Sequence, residues 1–98
     1  MDTKKLAALA AAVRLGSFTR AAEELGYTQS GLTHMMNSLE KDVGFPLLVR
    51  GRTGVRLTPA GQRIFPLVQE CLNGAKALER EILLINTQGM IKLMQKSS

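Results

Sequence analysis

Of the chain's 98 residues, one is a cysteine, Cys71, and one a histidine, His34. A single cysteine excludes an intrachain disulfide. With one histidine beside it, no cysteine or histidine cluster for a metal forms within one chain. Tryptophan is absent, and Tyr27 stands with only 3 phenylalanines. That is too few rings for the stacking platforms that hold single-stranded nucleic acid. No apolar run approaches the ~18 residues of a membrane span, and Met1 opens no basic-then-apolar leader. The chain therefore reads as cytoplasmic, with no membrane partner. Catalytic constellations are missing too. No glycine-rich loop precedes a basic phosphate ligand. Ser17 and Ser30 lack a histidine at a nucleophile-like spacing, and Glu23-Glu24 and Glu79/Glu81 fit solvated helix faces. Neither an enzyme nor a cofactor is expected.

Positive charge is in excess, 13 Lys+Arg against 8 Asp+Glu for a net +5. A basic balance favours a polyanionic partner. Its distribution is more telling than its size: Arg50, Arg52 and Arg56 fall between Leu47 and Pro59 with no acid among them.

Helical periodicity fills the first half. Leu6, Leu9, Ala10 and Val13 follow i, i+3, i+4, i+7 spacing, with Asp2 or Thr3 as start and Gly16 as stop. Ser17 offers an N-cap to a second helix carrying Phe18, Ala21, Ala22 and Leu25, closed by Gly26. Thr28 caps a third, with an apolar stripe of Leu32, Met36, Leu39 and Val43 and a stop at Gly44. A short helix, a tight glycine turn and a longer helix make the sequence form of a helix-turn-helix. From Gly44 the period shortens to that of strands. Leu47 to Val49 and Val55 to Thr58 read as a hairpin turned between Gly51 and Gly54, the wing of a winged helix-turn-helix.

Thr58-Pro59 reads as N-cap and first position of a last helix, expected to run to Gly89. About 30 residues make a rod of roughly 45 Å, too long for a small domain to bury. Ile64, Val68, Cys71, Ala75, Leu78, Ile82 and Ile85 repeat at 4, 3, 4, 3, 4, 3, the seam of helix-on-helix packing. This predicts a dimer interface, with Cys71 a small packed hydrophobe rather than a reactive thiol. Phe65, Leu67 and Leu72 widen the seam and also suit packing on the chain's own helices. Pro66 predicts a kink or loosened turns with the helix continuing; the opposing reading starts a new helix there. Beyond Gly89, Met90 to Met94 alternates like a strand. The fold class is thus mainly α with a small β-hairpin: a winged helix-turn-helix over residues 1–58, a linker or dimerisation helix over 59–88 and a tail over 89–98.

A helix-turn-helix sets its second helix in the major groove, where base edges are distinguishable. With the apolar stripe turned inward, Ser30, Thr33, His34, Asn37 and Lys41 fall on the outer face, and Thr28 and Gln29 lie at its tip. Gln29 suits bidentate pairing with adenine, and Thr33 offers a hydroxyl or a methyl. Such a face by itself also fits plain solvation; the turn before it and the wing after it favour DNA. Arg52, nearest the wing tip, is the leading phosphate or minor-groove contact. Arg50 and Arg56 either join it or brace the hairpin. Lys4, Lys5 and Arg14 are weaker phosphate candidates.

Two stretches carry a family resemblance: GSFTRAAEELGYTQSGLTHMMNSLEKDVG from Gly16 to Gly44, and PLLVRGRTGVRLTPAGQ from Pro46 to Gln62. The serine-capped helix with Ala21-Ala22, Leu39-Glu40 before Gly44, and Leu57-Thr58-Pro59-Ala60-Gly61 in that order resemble the N-terminal domain of LysR-type transcriptional regulators. The resemblance implies base contacts from Gln29, Ser30, Thr33 and His34, a linker helix that pairs into a homodimer, and binding to imperfect palindromes in double-stranded DNA. Tetramers are an option for full-length proteins. It further implies that a small-molecule effector belongs to a domain beyond the tail, of which GMIKLM looks like the first strand. Thr33-His34, Met35-Met36 and Gly31 depart from common family choices, which bears on base preference rather than fold. Three other readings compete: a non-specific architectural DNA binder, a winged helix used only for protein contacts, and, a distant fourth, an enzyme.

Overall fold

The computed structural model describes residues 2–96, and the side-chain surroundings of residues 2–89. The order of elements is α1 (Thr3–Leu15), α2 (Phe18–Leu25), α3 (Gln29–Val43), β1 (Leu48–Gly51), β2 (Gly54–Leu57) and α4 (Pro59–Lys96). The first three helices are bounded as their end residues dictate. Asp2, Ser17 and Thr28 each accept a hydrogen bond from a first-turn amide, at 2.8, 3.2 and 3.0 Å. Each such cap contributes about 1 kcal/mol by satisfying an otherwise orphaned donor. Gly16, Gly26 and Gly44 end these helices at φ 63, 78 and 91, where a side chain would be strained.

The three helices enclose one core. Leu6 and Leu9 are buried as expected, and Ala8, Ala11 and Ala12 are buried with them, whereas Ala10 and Val13 are half-buried. The predicted single face of α1 was too narrow: α2, α3, α4 and β2 all contact this helix, so its alanines let neighbours approach from several sides. Phe18, Ala21 and Ala22 come in from α2, and Leu32, Met36 and Leu39 from α3.

The strands pair antiparallel with Leu48 opposite Leu57 and Arg50 opposite Val55; β1 begins one residue later, and β2 one residue earlier, than the sequence pattern placed them. Leu47 is not a strand residue; it is 1% exposed in the core, and its backbone ties the wing down. Its N–H donates to the Glu40 carboxylate at 2.6 Å, and its carbonyl accepts from the Thr58 N–H at 2.9 Å. The Thr58 hydroxyl donates to the Pro46 carbonyl at 2.7 Å and accepts from the Gly61 N–H at 3.0 Å. A Cβ at Gly61 would lie 2.5 Å from the Leu47 carbonyl oxygen, so only glycine permits this approach of the helix to the segment leading into β1.

The helix passes through Pro66 without interruption. It also passes through Gly89, where a stop and then a strand were expected; the backbone from Met90 to Met94 is helical. Methionine, leucine, lysine and glutamine are good helix formers, and one glycine costs only ~1 kcal/mol in a helix interior. The side chains of Met90 to Met94, and Ser97 and Ser98 altogether, lie outside the described residues. The resulting molecule is elongated, with extents of 64 × 26 × 20 Å and a radius of gyration of 18.0 Å. A compact chain of this length has about 13 Å.

Candidate nucleic-acid interface

The tight turn between α2 and α3 brings the first turn of α3 to the surface beside the wing. Thr28, Gln29, Ser30, His34, Asn37 and Lys41 are exposed, and Thr33 is half-buried. Their availability differs. The Thr28 oxygen already caps α3 and lies 3.4 Å from the Ser30 hydroxyl. The Thr33 hydroxyl donates back to the Gln29 carbonyl at 3.0 Å, which leaves its methyl and its acceptor lone pairs outward. Gln29, Ser30 and Thr33 line one open cleft together with Arg50. Lys41 lies at the other end, in the last turn of α3, about 18 Å along the axis from Gln29 at 1.5 Å per residue. It is not part of the cleft.

The three wing arginines point in different directions because the strand alternates. Residues directly opposite in an antiparallel pair share a face. Arg50 therefore shares the body-facing side with Val55, and Arg56 shares the outer side with Val49, which is 49% exposed. The Arg50 guanidinium carbon sits 4.3 Å from the centroid of the Phe18 ring. Of the two arginines that the sequence offered either as DNA contacts or as braces, Arg50 lies against this ring while remaining exposed, and Arg56 faces outward. Arg52 occupies the two-residue turn with Thr53 and is exposed.

The wing is also fixed near its turn. The Val55 N–H donates to the Gly16 carbonyl at 3.1 Å. A Cβ on Gly54, whose φ is 111, would fall 2.5 Å from that oxygen. The end of α1 is thus a seat for the wing, and a second, smaller cleft opens there, lined by Ser17, Phe18, Thr19, Gln29 and Arg50 among others. Thr19 is an exposed hydroxyl at this surface that sequence reasoning missed; its one signal was its place in the first turn of α2.

Two weaker phosphate candidates are engaged within the chain. Lys5 donates to the Ser38 hydroxyl at 2.7 Å and pairs with Asp42 at 3.0 Å, tying α1 to α3. Arg14 pairs with Glu24. Among the described residues no group of three or more His, Cys, Asp or Glu side chains is placed to hold a metal ion, and no helix is long and apolar enough to cross a membrane.

The seam on α4 divides in two. Val68 is 7% exposed within the chain's own core, and Ile64, Phe65 and Leu72 pack against it half-buried. Val68 is therefore covered mostly by its own chain. Farther along, Cys71 is exposed and Ala75 half-buried, while Leu78, Ile82 and Ile85 are 61%, 50% and 59% exposed. Leu67, which the pattern offered to either surface, is 62% exposed.

This arrangement has counterparts among known proteins. The family described as bacterial regulatory helix-turn-helix protein, lysR family, matches residues 3–62. The HTH-type transcriptional regulator HdfR of Yersinia pestis (strain Pestoides F) is 37% identical over 83 residues, which is 85% of this chain and 28% of that protein. The matched stretch thus spans only 28% of the length of the curated relatives it matches. Among solved structures, the BenM_DBD/catB site 1 DNA complex aligns with a TM-score of 0.81 and 29% identity, covering 87% of this chain and 96% of that one. The CbnR_DBD–DNA complex aligns at 0.76 and 28% identity, covering 87% and 99%.

Proposed function

Because the chain belongs to the lysR family of bacterial regulatory helix-turn-helix proteins, we propose that it is the portion of a transcription regulator that binds double-stranded DNA sequence-specifically as a homodimer. One observation carries this reading: the polar first turn of α3 and a wing arginine open onto a single cleft. A helix N-terminus with short polar side chains fits the major groove, and its dipole favours phosphate alongside. In this role Gln29 reads a base edge, Ser30, Thr33 and His34 make the neighbouring base or phosphate contacts, and Asn37 lies along the groove wall. Arg52 and Arg56 meet the backbone or the minor groove from the wing. Lys41, far from the cleft, contributes to the general field. The work is binding, with no chemical step, and the small-molecule effector is sensed by sequence other than these 98 residues.

The homodimer reading is supported by the bare end of the seam. Leu78, Ile82 and Ile85 are each half or more exposed on a helix that projects from the body, and apolar side chains repeated at heptad spacing are stable when a second helix covers them. A dimer predicts two half-sites spaced by one helical turn or a multiple of it.

Selection of bound sequences from a random duplex pool, with sedimentation on the same preparation, tests both parts. A two-half-site consensus and a concentration-dependent dimer are expected. Enrichment of no sequence over the pool would instead favour the non-specific architectural reading, and a single unpaired half-site would remove the homodimer.

A further inference from the structure

One side chain on the body-facing side of the wing is charged. Leu48, Val55 and Leu57 face the body, and Arg50 stands among them where an apolar residue is expected. What it meets there is the ring of Phe18, 4.3 Å from guanidinium carbon to centroid. A cation within about 6 Å of an aromatic centroid is attracted by the ring's negative face. The ring itself is well anchored. Phe18 is 5% exposed, begins α2 directly after its Ser17 cap, and belongs to the core. Arg50, in contrast, is exposed and lines both clefts, with Gln29, Ser30 and Thr33 in one and Ser17, Thr19 and Gln29 in the other. The strand that carries it is paired to one whose Val55 N–H is bonded to the Gly16 carbonyl, at the same junction from which Phe18 projects. Ring, strand and helix end therefore form one unit.

We infer that Phe18 is a positioning residue for DNA binding: its ring holds the Arg50 guanidinium beside the first turn of α3, so that Arg50 meets a backbone phosphate in a geometry set before the duplex arrives. The inference rests on the duplex-DNA reading above. A free arginine loses much of its rotamer freedom when it grips a phosphate, and a guanidinium already resting on a ring has less to lose. The contact leaves the charge intact and the fork edges open, since the ring occupies only the flat face. A leucine at position 18 fills the core but offers no negative face.

The test is a double-mutant cycle on the full chain, with affinity measured against salt for the parent, Phe18→Leu, Arg50→Ala and the double variant. Phe18→Leu is expected to weaken binding about 3- to 10-fold, equally on selected and random duplex. Its salt slope stays near the parent's, because no charge is removed. Arg50→Ala should lower the slope by about 0.9, one phosphate's share, and the double variant should bind no worse than Arg50→Ala alone. Replacing Phe18 with a trifluorinated phenylalanine keeps shape and burial while weakening the ring face, so it reports even where Phe18→Leu fails to fold; it should reproduce the affinity loss. Additive single effects, or a fluorinated variant that binds like the parent, would overturn the inference and leave DNA binding standing. A parent chain that binds no duplex even at low salt would sink the DNA reading itself and the inference with it.

Discussion

Helices α1, α2 and α3 each start on a side-chain cap and stop on a left-handed glycine, while α4 runs through an interior proline and three glycines without stopping. The short helices occupy a closed core in which each has a defined length, and a turn of excess helix would collide with the next element. The long helix projects beyond the body from about Lys76, and nothing it meets there requires it to end. Its interruptions are tolerated for local reasons. Pro66 costs roughly 3 kcal/mol in a helix interior, but it is exposed, so water can take the bond it forgoes, and Ile64, Phe65 and Val68 hold the flanking turns to the core. Breakers therefore act as boundaries where packing agrees with them and are overridden where it does not.

Substitutions on either side of this divide should behave differently. Leu32, 0% exposed beneath the recognition face, is expected to lose about 2–5 kcal/mol on change to alanine, read as a lower urea midpoint; a loss under 1 kcal/mol would mean that the body is looser than its packing indicates. At the joint between body and arm, Glu40→Ala removes the acceptor of the Leu47 N–H and should cost about 1–3 kcal/mol. Glu40→Gln, which keeps an acceptor oxygen, should recover part of it. On the arm, Ile82→Ala with Ile85→Ala should weaken self-association at least ~10-fold, about 1.4 kcal/mol, in sedimentation. The body's unfolding at high dilution should shift by no more than about 0.5 kcal/mol; if that unfolding shifts strongly instead, the arm is folded back on the body. The smallest effect belongs to Gly89, where no atom within 4 Å would meet a new Cβ. Gly89→Ala should raise helicity and stability by up to ~1 kcal/mol, and a loss of helical circular dichroism would restore a break at that position.

Local chemistry was legible from sequence, and long-range chemistry was not. Ser17, Thr28, Gly16, Gly26 and Gly44 act within a turn of where they stand, so pattern alone located the helix ends. The exposed polar face of α3 followed from the same periodicity. The engagement of Lys5 with Asp42 and of Arg14 with Glu24 joins residues from different helices, and no spacing rule within one helix foretells it. The direction of Arg50 was half legible: strand alternation marks it as inward, but the ring that makes an inward arginine acceptable lies on another element. The seam on α4 was read as uniform because a heptad pattern does not say which chain covers each position; Val68 is covered by its own.

Thr58 has a mechanical consequence. Through its amide, carbonyl and hydroxyl it is bonded at once to Leu47, Gln62, Pro46 and Gly61. It is therefore a rivet joining the shaft of the long helix to the strand root that bears the arginines. A torque applied far along α4 therefore has a hydrogen-bonded route into the wing at this residue, beside the packed route into the helical core through Ile64, Phe65 and Val68. In the proposed homodimer, a change in the angle between two paired shafts would reach the wings through this joint.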